Sequence, residues 1–331
     1  MQQFRTTVPD IGSSGRAQPV WRLGSVLKHC FGLSRVERSR IWRVGGATIN
    51  GQPASAPHTH CYPGDLVEAW YPEESSSVAP EHETRFGPLR VVYEDDWLLA
   101  IDKPAGQLAH PARAEQSGTA ANAVAARFQT GEAGVAEPVR LVHRLDRDTS
   151  GVLLFARHAR AAAALARLRA AGQLTRDYLA LASGYPSAVG EVAYVLGADP
   201  AHRTRRVVVI EGNRILRFAQ DVSELPQAES VAWQEARTTY RVIQYGSHGA
   251  LIAARLHTGR THQLRAHMAA IGNPLLGDDL YGGPVGGGIA RQALHAWRVR
   301  LRHPGSGAAL ELRAPLPADM RAAARRLCFG R

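Results

Sequence analysis

The sequence predicts an α+β fold: a small N-terminal domain of helices and short strands, a linker, and a larger domain on a mixed, mainly antiparallel sheet. Three observations predict it. The 331 residues suit about two domains of roughly 150 residues each. Residues 73–88, with Glu73, Glu74, three serines, Glu81 and Glu83, have the acidic, serine-rich composition of a linker. Beyond them, strand-like runs follow one another with few helices between, which favours α+β over a doubly wound sheet.

In order along the chain, residues 1–19 are polar and carry Pro9, Gly12, Gly15 and Pro19, so they read as a flexible arm. Residues 20–72 form a small α/β unit. Val26, Leu27, Leu33, Val36 and Ile41 fall at helical spacings, interleaved with Arg35, Arg38, Arg40 and Arg43. Gly45-Gly46 ends that pattern, Ala47 to Gly51 is a strand entering a turn, and Leu66 to Trp70 is a strand after the turn at Gly64-Asp65. In 89–331, Leu89–Tyr93 and Leu98–Asp102 are short strands around an acidic turn, and Leu153–Ala156 is another strand. Ala156–Ala171 is a helix ended by Gly172. Tyr178–Leu181, Thr238–Gln244 and Ala250–Leu256 are strands. Thr261–Ile271 is a helix stopped by Gly272, with Leu264, Met268 and Ile271 at core spacing. The arginine-rich segment Val195–Ser230 is either a surface hairpin with solvated charges or a device for choosing substrate.

Composition narrows the function. Lys28 and Lys103 are the only lysines among 40 cations, and the net charge is +11. Such a balance suits a polyanionic partner, although an alanine- and arginine-rich chain also follows from coding bias. No apolar run approaches the roughly 18 residues of a spanning helix, so no membrane partner is expected. Three scattered cysteines, Cys30, Cys61 and Cys328, build neither a disulfide framework nor a zinc site, which fits a reducing, cytoplasmic setting. Phosphate-loop, dinucleotide-loop, HExxH and GxSxG motifs are all missing, so no cofactor is expected. His257, His262 and His267 recur every five residues. That spacing turns them to different helix faces, so no metal is expected either.

Two segments concentrate chemistry. In His143-Arg144-Leu145-Asp146-Arg147-Asp148-Thr149-Ser150-Gly151, carboxylates lie among arginines above a turn-forming tail. An arginine-flanked carboxylate stays ionised and suits a nucleophile or base, and the same residues also suit a salt-bridged surface turn. A paired-carboxylate hydrolase is disfavoured, because alternating residues point apart. In Leu256 to Arg265, a strand end and a glycine turn run into a donor-rich helix start. This suits an anion site or an ordinary capped helix.

These two segments, with Tyr178 placed 32 residues after Asp146, resemble the RluA-type pseudouridine synthases. Ile101 to Gly106, Gly272-Asn273-Pro274, Leu276-Gly277-Asp278, Tyr281 and Leu294-His295-Ala296 fit in family order, from Leu89 to about Leu316. Residues 20–72 resemble the small RNA-binding domain of ribosomal protein S-four type. The resemblance implies a cofactor-free isomerase that converts uridine in ribosomal or transfer RNA to pseudouridine. It implies a catalytic set of Asp146, Tyr178 and Arg265: Asp146 as nucleophile or base, Tyr178 facing the flipped uracil, and Arg265 pairing with Asp146 and keeping it ionised. It implies that Arg144 fills the gap in the base stack. Leu264 lines the base pocket or the core, and His143, Thr258, Arg260 and His262 meet the substrate. Arg35, Arg38, Arg40 and Arg43 are candidates for the RNA backbone. RNA is the expected partner and the chain is expected to act as a monomer. The alternative is a non-catalytic RNA-binding or ribosome-assembly protein. Arg176 stands where the family often has lysine, with little effect on chemistry expected.

Overall fold

The structure, a computed structural model, describes residues 2–10, 20–33, 35–54, 56–71, 78–81, 85–111, 117–128, 138–199, 202, 204–210, 214–217, 221–224, 233–285 and 288–329. The chain divides into two units, Met1–Ser77 and Val78–Arg331.

The first unit contains β1 (Gln2–Thr7), β2 (Trp21–Arg22), α1 (Leu23–His29), α2 (Arg35–Val44), β3 (Ala47–Ile49), β4 (Gln52–Pro53), β5 (His60–Cys61) and β6 (Leu66–Tyr71). A four-stranded sheet runs β1-β6-β3-β4. Leu23, Val26 and Leu27 of α1, Leu33 of the connection and Ile41 of α2 bury against Ala47, Val67 and Ala69 from the sheet. This corrects the expected flexible arm. Gln2–Thr7 pairs antiparallel with Leu66–Tyr71, because β6 would otherwise leave a sheet edge open there. Residues 11–19 of that arm lie outside the described residues.

The second unit contains β7 (Val91–Glu94), β8 (Leu98–Lys103), α3 (Ala120–Phe128), β9 (Arg140–Leu141), β10 (Ser150–Ala156), α4 (Ala159–Ala170), β11 (Thr175–Ser183) and β12 (Val189–Ala198). Then come β13 (Arg206–Ile210), β14 (Arg214–Arg217), β15 (Asp221–Glu224), β16 (Gln234–Tyr245), β17 (Gly249–Leu256), α5 (Gln263–Ala270), β18 (Leu294–Arg302), β19 (Ala309–Arg313) and α6 (Ala318–Phe329). One sheet orders them β15-β14-β13-β12-β16-β17-β11-β18-β10-β8-β7, with β19 beside β18 and β9 beside β10. Its ladders are antiparallel except β10 with β18, which is parallel. The fold is therefore α+β.

The departures from the sequence reading have local causes. β10 begins at Ser150, three residues early, because Ser150 and Gly151 pair with His295 and Ala296. A Cβ at Gly151 would lie 2.2 Å from the Ala296 carbonyl, and its φ is +115°, so only glycine fits. α4 begins at Ala159, since β10 continues through Ala156 and the His158 ring caps the helix at the Ala161 amide. α5 begins at Gln263, because His262 has φ 56°, outside helical space. The expected linker is interrupted, as Val78 is buried in the second unit's core. The segment after Val195 is more than a solvated hairpin. Val207 and Val208 are fully buried, and Asp199 holds Arg205 through a 2.6 Å bond. Its residues 200, 201, 203, 211–213, 218–220 and 225–230 lie outside the described residues.

Two fully buried histidines carry a pH dependence. His267 meets the Thr238 hydroxyl at 2.9 Å; His295 meets the Ser150 hydroxyl at 2.9 Å and the Ala314 carbonyl at 3.2 Å. Burial pulls both rings down to a pKa of about 4. Unfolded, they titrate near 6.5, so the unfolded chain binds more protons between those values. Stability is complete at pH 7 and falls between pH 6.5 and about 4, by about 1.4 kcal/mol per pH unit for each ring. Urea midpoints at pH 7, 6 and 5 measure this, and a constant midpoint contradicts it.

Candidate active site

Several segments of the second unit line one cleft of about 1300 Å³, and four of them carry most of its lining residues. They are the loop 142–149 before β10, the face of β11 that carries Arg176 and Tyr178, the turn 256–262 leading into α5, and the base of β13 at Thr204 and Arg206.

The loop alternates in exposure. His143 and Leu145 are buried, Arg144 is exposed, and the Asp146 carboxyl remains 24% exposed. Its backbone is held at three consecutive carbonyls. The Thr149 amide closes a turn on Asp146, Lys103 Nζ donates to Arg147 at 2.9 Å, and Arg291 Nη1 donates to Asp148 at 2.9 Å. Lys103 also donates to the carbonyls of Pro104 and Gln107, at 2.8 and 2.7 Å. Three acceptors match the three protons of an ammonium, although complete burial pulls Lys103 down to a pKa of about 7. Asp148 faces Arg147 instead of the cleft chemistry, in a 2.9 Å ion pair.

Arg265, in the first turn of α5, faces Asp146. Its Nη1 lies 3.5 Å from Asp146 Oδ2, while Nε and Nη2 donate to Asp278 at 2.8 and 2.7 Å. Its guanidinium also lies 5.1 Å from the Tyr281 ring centroid. Burial raises the Asp278 pKa and by itself lowers that of Arg265. The two-pronged bond outweighs burial for the guanidinium, which is held above its ordinary value. Asp146 is thus aimed by a fixed cation while its oxygens stay open to the cleft.

Tyr178 and Leu264 are 4% and 2% exposed and wall the cleft from the core side. Burial raises the Tyr178 pKa, with Asp146 adding and Arg176 opposing. The His262 Nδ1 meets the Tyr281 hydroxyl at 3.1 Å, and that hydroxyl accepts the Arg206 amide at 2.9 Å. Burial, helped by the surrounding arginines and opposed by Asp146, takes His262 down to a pKa of about 4. His143, packed by Arg176 and Arg169, is driven to about 3, chiefly by burial.

Two candidates have structural employment. The Thr258 hydroxyl accepts the Arg237 amide and donates to Gln263 Oε1, so the side chain ties the turn to β16. Arg260 Nε donates to the Glu235 carbonyl at 3.0 Å. In the first unit, Arg38 caps the Leu33 carbonyl, Arg43 is exposed, and the Arg35 side chain lies outside the described residues. Sequence reasoning gave no role to Asp278, Lys103, Arg291 or Arg206. Lys103 carried a signal as one of two lysines among 40 cations, and Asp278 as the last residue of Leu276-Gly277-Asp278.

The chain resembles known proteins in sequence and in fold. The RNA pseudouridylate synthase family profile matches residues 97–270. The chain is 38% identical to ribosomal large subunit pseudouridine synthase D of Nitrosomonas europaea, over 73% of this chain and 66% of the relative. It is 39% identical to an uncharacterised RNA pseudouridine synthase of Bacillus subtilis, over 78% and 76%. It is 33% identical to synthase D of Vibrio parahaemolyticus, over 90% and 88%. Among solved structures it resembles human RNA pseudouridylate synthase domain containing 4, at 24% identity and TM-score 0.56, over 72% of this chain and 92% of that one.

Lys103→Met removes one donor from each of three carbonyls, at about 1 kcal/mol each. It should lower unfolding free energy by on the order of 3 kcal/mol. Urea unfolding measures this, and an unchanged midpoint contradicts the anchoring role.

Proposed function

The chain belongs to the RNA pseudouridylate synthase family, isomerases that convert uridine in RNA to pseudouridine, and from that premise we propose how and on what it acts. Its substrate is ribosomal RNA, as the names of its large-subunit relatives suggest, and it works in the cytoplasm. In this proposal it acts as a monomer. Among the described residues, no helix is long and apolar enough to cross a membrane.

Asp146 is the catalytic carboxylate. The observation that carries this is its position: open to the cleft, 3.5 Å from a guanidinium that Asp278 holds from behind. The target uridine leaves the stack, which costs a few kcal/mol, and the planar Arg144 guanidinium, exposed at the cleft, fills the gap. Its uracil stacks on Tyr178 against Leu264. The bond from C1′ to N1 breaks, with Asp146 either attacking C1′ or taking the C2′ proton to give a glycal. The uracil turns and C5 bonds to C1′, displacing the Asp146 carboxylate from that carbon or, from the glycal, with Asp146 returning the proton to C2′. The C5 proton then leaves and N1 gains one, so the reaction is a balanced isomerisation. Tyr178, in reach of the base, relays a proton. His143 and His262 shape the pocket as neutral rings.

The first unit binds the RNA backbone, in keeping with its resemblance to the small ribosomal RNA-binding domain. Exposed Arg43 on α2 is a contact.

Two experiments test this reading. Asp146→Asn should lower release of tritium from C5-labelled uridine in ribosomal RNA by at least ~10²-fold, with RNA affinity kept. Turnover near wild type would overturn the assignment and favour a binding-only protein. Arg43→Glu should weaken RNA binding several-fold and leave the single-turnover rate at saturating enzyme unchanged. Equal affinity would remove the first unit's role.

A further inference from the structure

One cation in the cleft has no employment in this chemistry. Arg176 lies on β11, two residues before Tyr178, and is 7% exposed. Among the described residues its side chain makes one hydrogen bond, from Nη2 to the Thr258 carbonyl at 3.0 Å. Its Nε is buried with no partner. Among the described residues it forms no ion pair. The carboxylates near it are engaged elsewhere: Asp177 by Arg255, Arg298 and Arg300, Asp148 by Arg147, and Asp146 by Arg265. Its ring neighbour His143 is neutral, with neither nitrogen in a well-formed hydrogen bond. Arginine cannot shed its proton, so this is a buried positive charge without an anion, a costly arrangement.

The surroundings are built to keep the guanidinium there. A Cβ at Gly259 would lie 2.8 Å from Nη1 and 3.1 Å from Nη2. Gly259 has no positive φ, so the glycine serves space and not backbone conformation. Arg144 and Arg169 line the same cleft. Arg176 and Tyr178 share the cleft face of one strand, about 7 Å apart at two residues' rise. That span is comparable to the reach from a nucleotide's base to its phosphate.

We propose that Arg176, in the space kept open by Gly259, is a phosphate seat: it takes a phosphodiester of the RNA beside the uridine held on Tyr178. The seat rests on the RNA-modifying reading above and adds to it the contact that positions the flipped nucleotide's backbone. The guanidinium supplies two prongs to phosphate oxygens, which lysine would do only as a point charge.

The test uses the full chain and a large-subunit ribosomal RNA stem-loop that the wild-type protein modifies. Affinity is measured from 50 to 200 mM salt for wild type, Arg176→Gln, Arg176→Lys and Gly259→Ala. Arg176→Gln should lower affinity about tenfold and reduce the salt slope by about one, while Arg176→Lys keeps the slope. Gly259→Ala, whose methyl displaces the guanidinium, should act in the same direction and add nothing in the Arg176→Gln background. One neutral methylphosphonate linkage in the RNA should weaken wild type about tenfold and leave Arg176→Gln unaffected. Wild-type slopes in Arg176→Gln and Gly259→Ala would overturn the proposal, as would equal methylphosphonate losses in wild type and variant. A purely structural arginine would lower the melting temperature without moving either readout. Should Arg176→Gln not fold, Arg176→Lys, Gly259→Ala and the methylphosphonate scan decide the matter. Wild-type turnover is followed in the same RNA, so loss of the seat and loss of the isomerase reading are separate results.

Discussion

The guanidinium of Arg265 is the constraint around which the cleft is organised. Its five N–H donors form a rigid fork, and Asp278 takes two of them from the buried side. Only one arm is left to face Asp146, and it does so at 3.5 Å, too long for a strong bond. A tighter pair would hold the Asp146 oxygens away from the substrate, and a looser one would let the carboxylate turn. Tyr281 fixes the plane of the fork, and its hydroxyl joins α5, through His262, to the base of β13.

The loop that carries Asp146 needs equal rigidity, and the scaffold supplies it through backbone carbonyls. Lys103 extends from a fully buried strand, and Arg291 reaches in while anchored on Asp319 of α6. Gly151 lets β10 pass against β18 closely enough to pin the loop's far end. The proposed catalytic groups thus come from β10's approach, β11 and α5, elements distant in sequence and adjacent in one sheet and its covering helix. Buried His143 and half-buried His262 complete the wall as neutral rings.

Much of this was legible in the chain. Helical and alternating apolar spacings marked the main elements, and the His143–Gly151 and Thr258–His267 segments marked the site. Asp146, Tyr178 and Arg265 do converge on one cleft. The role of Asp278 was not legible, since its bond to Arg265 spans thirteen residues through a turn, and no spacing rule describes that contact. β18 had a signal that arginines at 298, 300 and 302 obscured: Val299 and Leu301 alternate inward between them. β1 needed its partner β6, because a polar edge strand has no apolar pattern of its own. Thr258 lines the cleft but reads two ways, because a hydroxyl beside a glycine turn serves the turn as readily as a ligand.

If the Arg265–Asp278 pair acts as one unit that aims Asp146, its members cannot contribute independently. The direct measurement is a double-mutant cycle on the single-turnover rate of uridine isomerisation, with Arg265→Lys, Asp278→Asn and the two combined. The account predicts that each single change slows the chemical step at least ~10²-fold and that the double variant is no slower than the slower single. Multiplying losses, or a folded Asp278→Asn protein reacting at the wild-type rate, would contradict it.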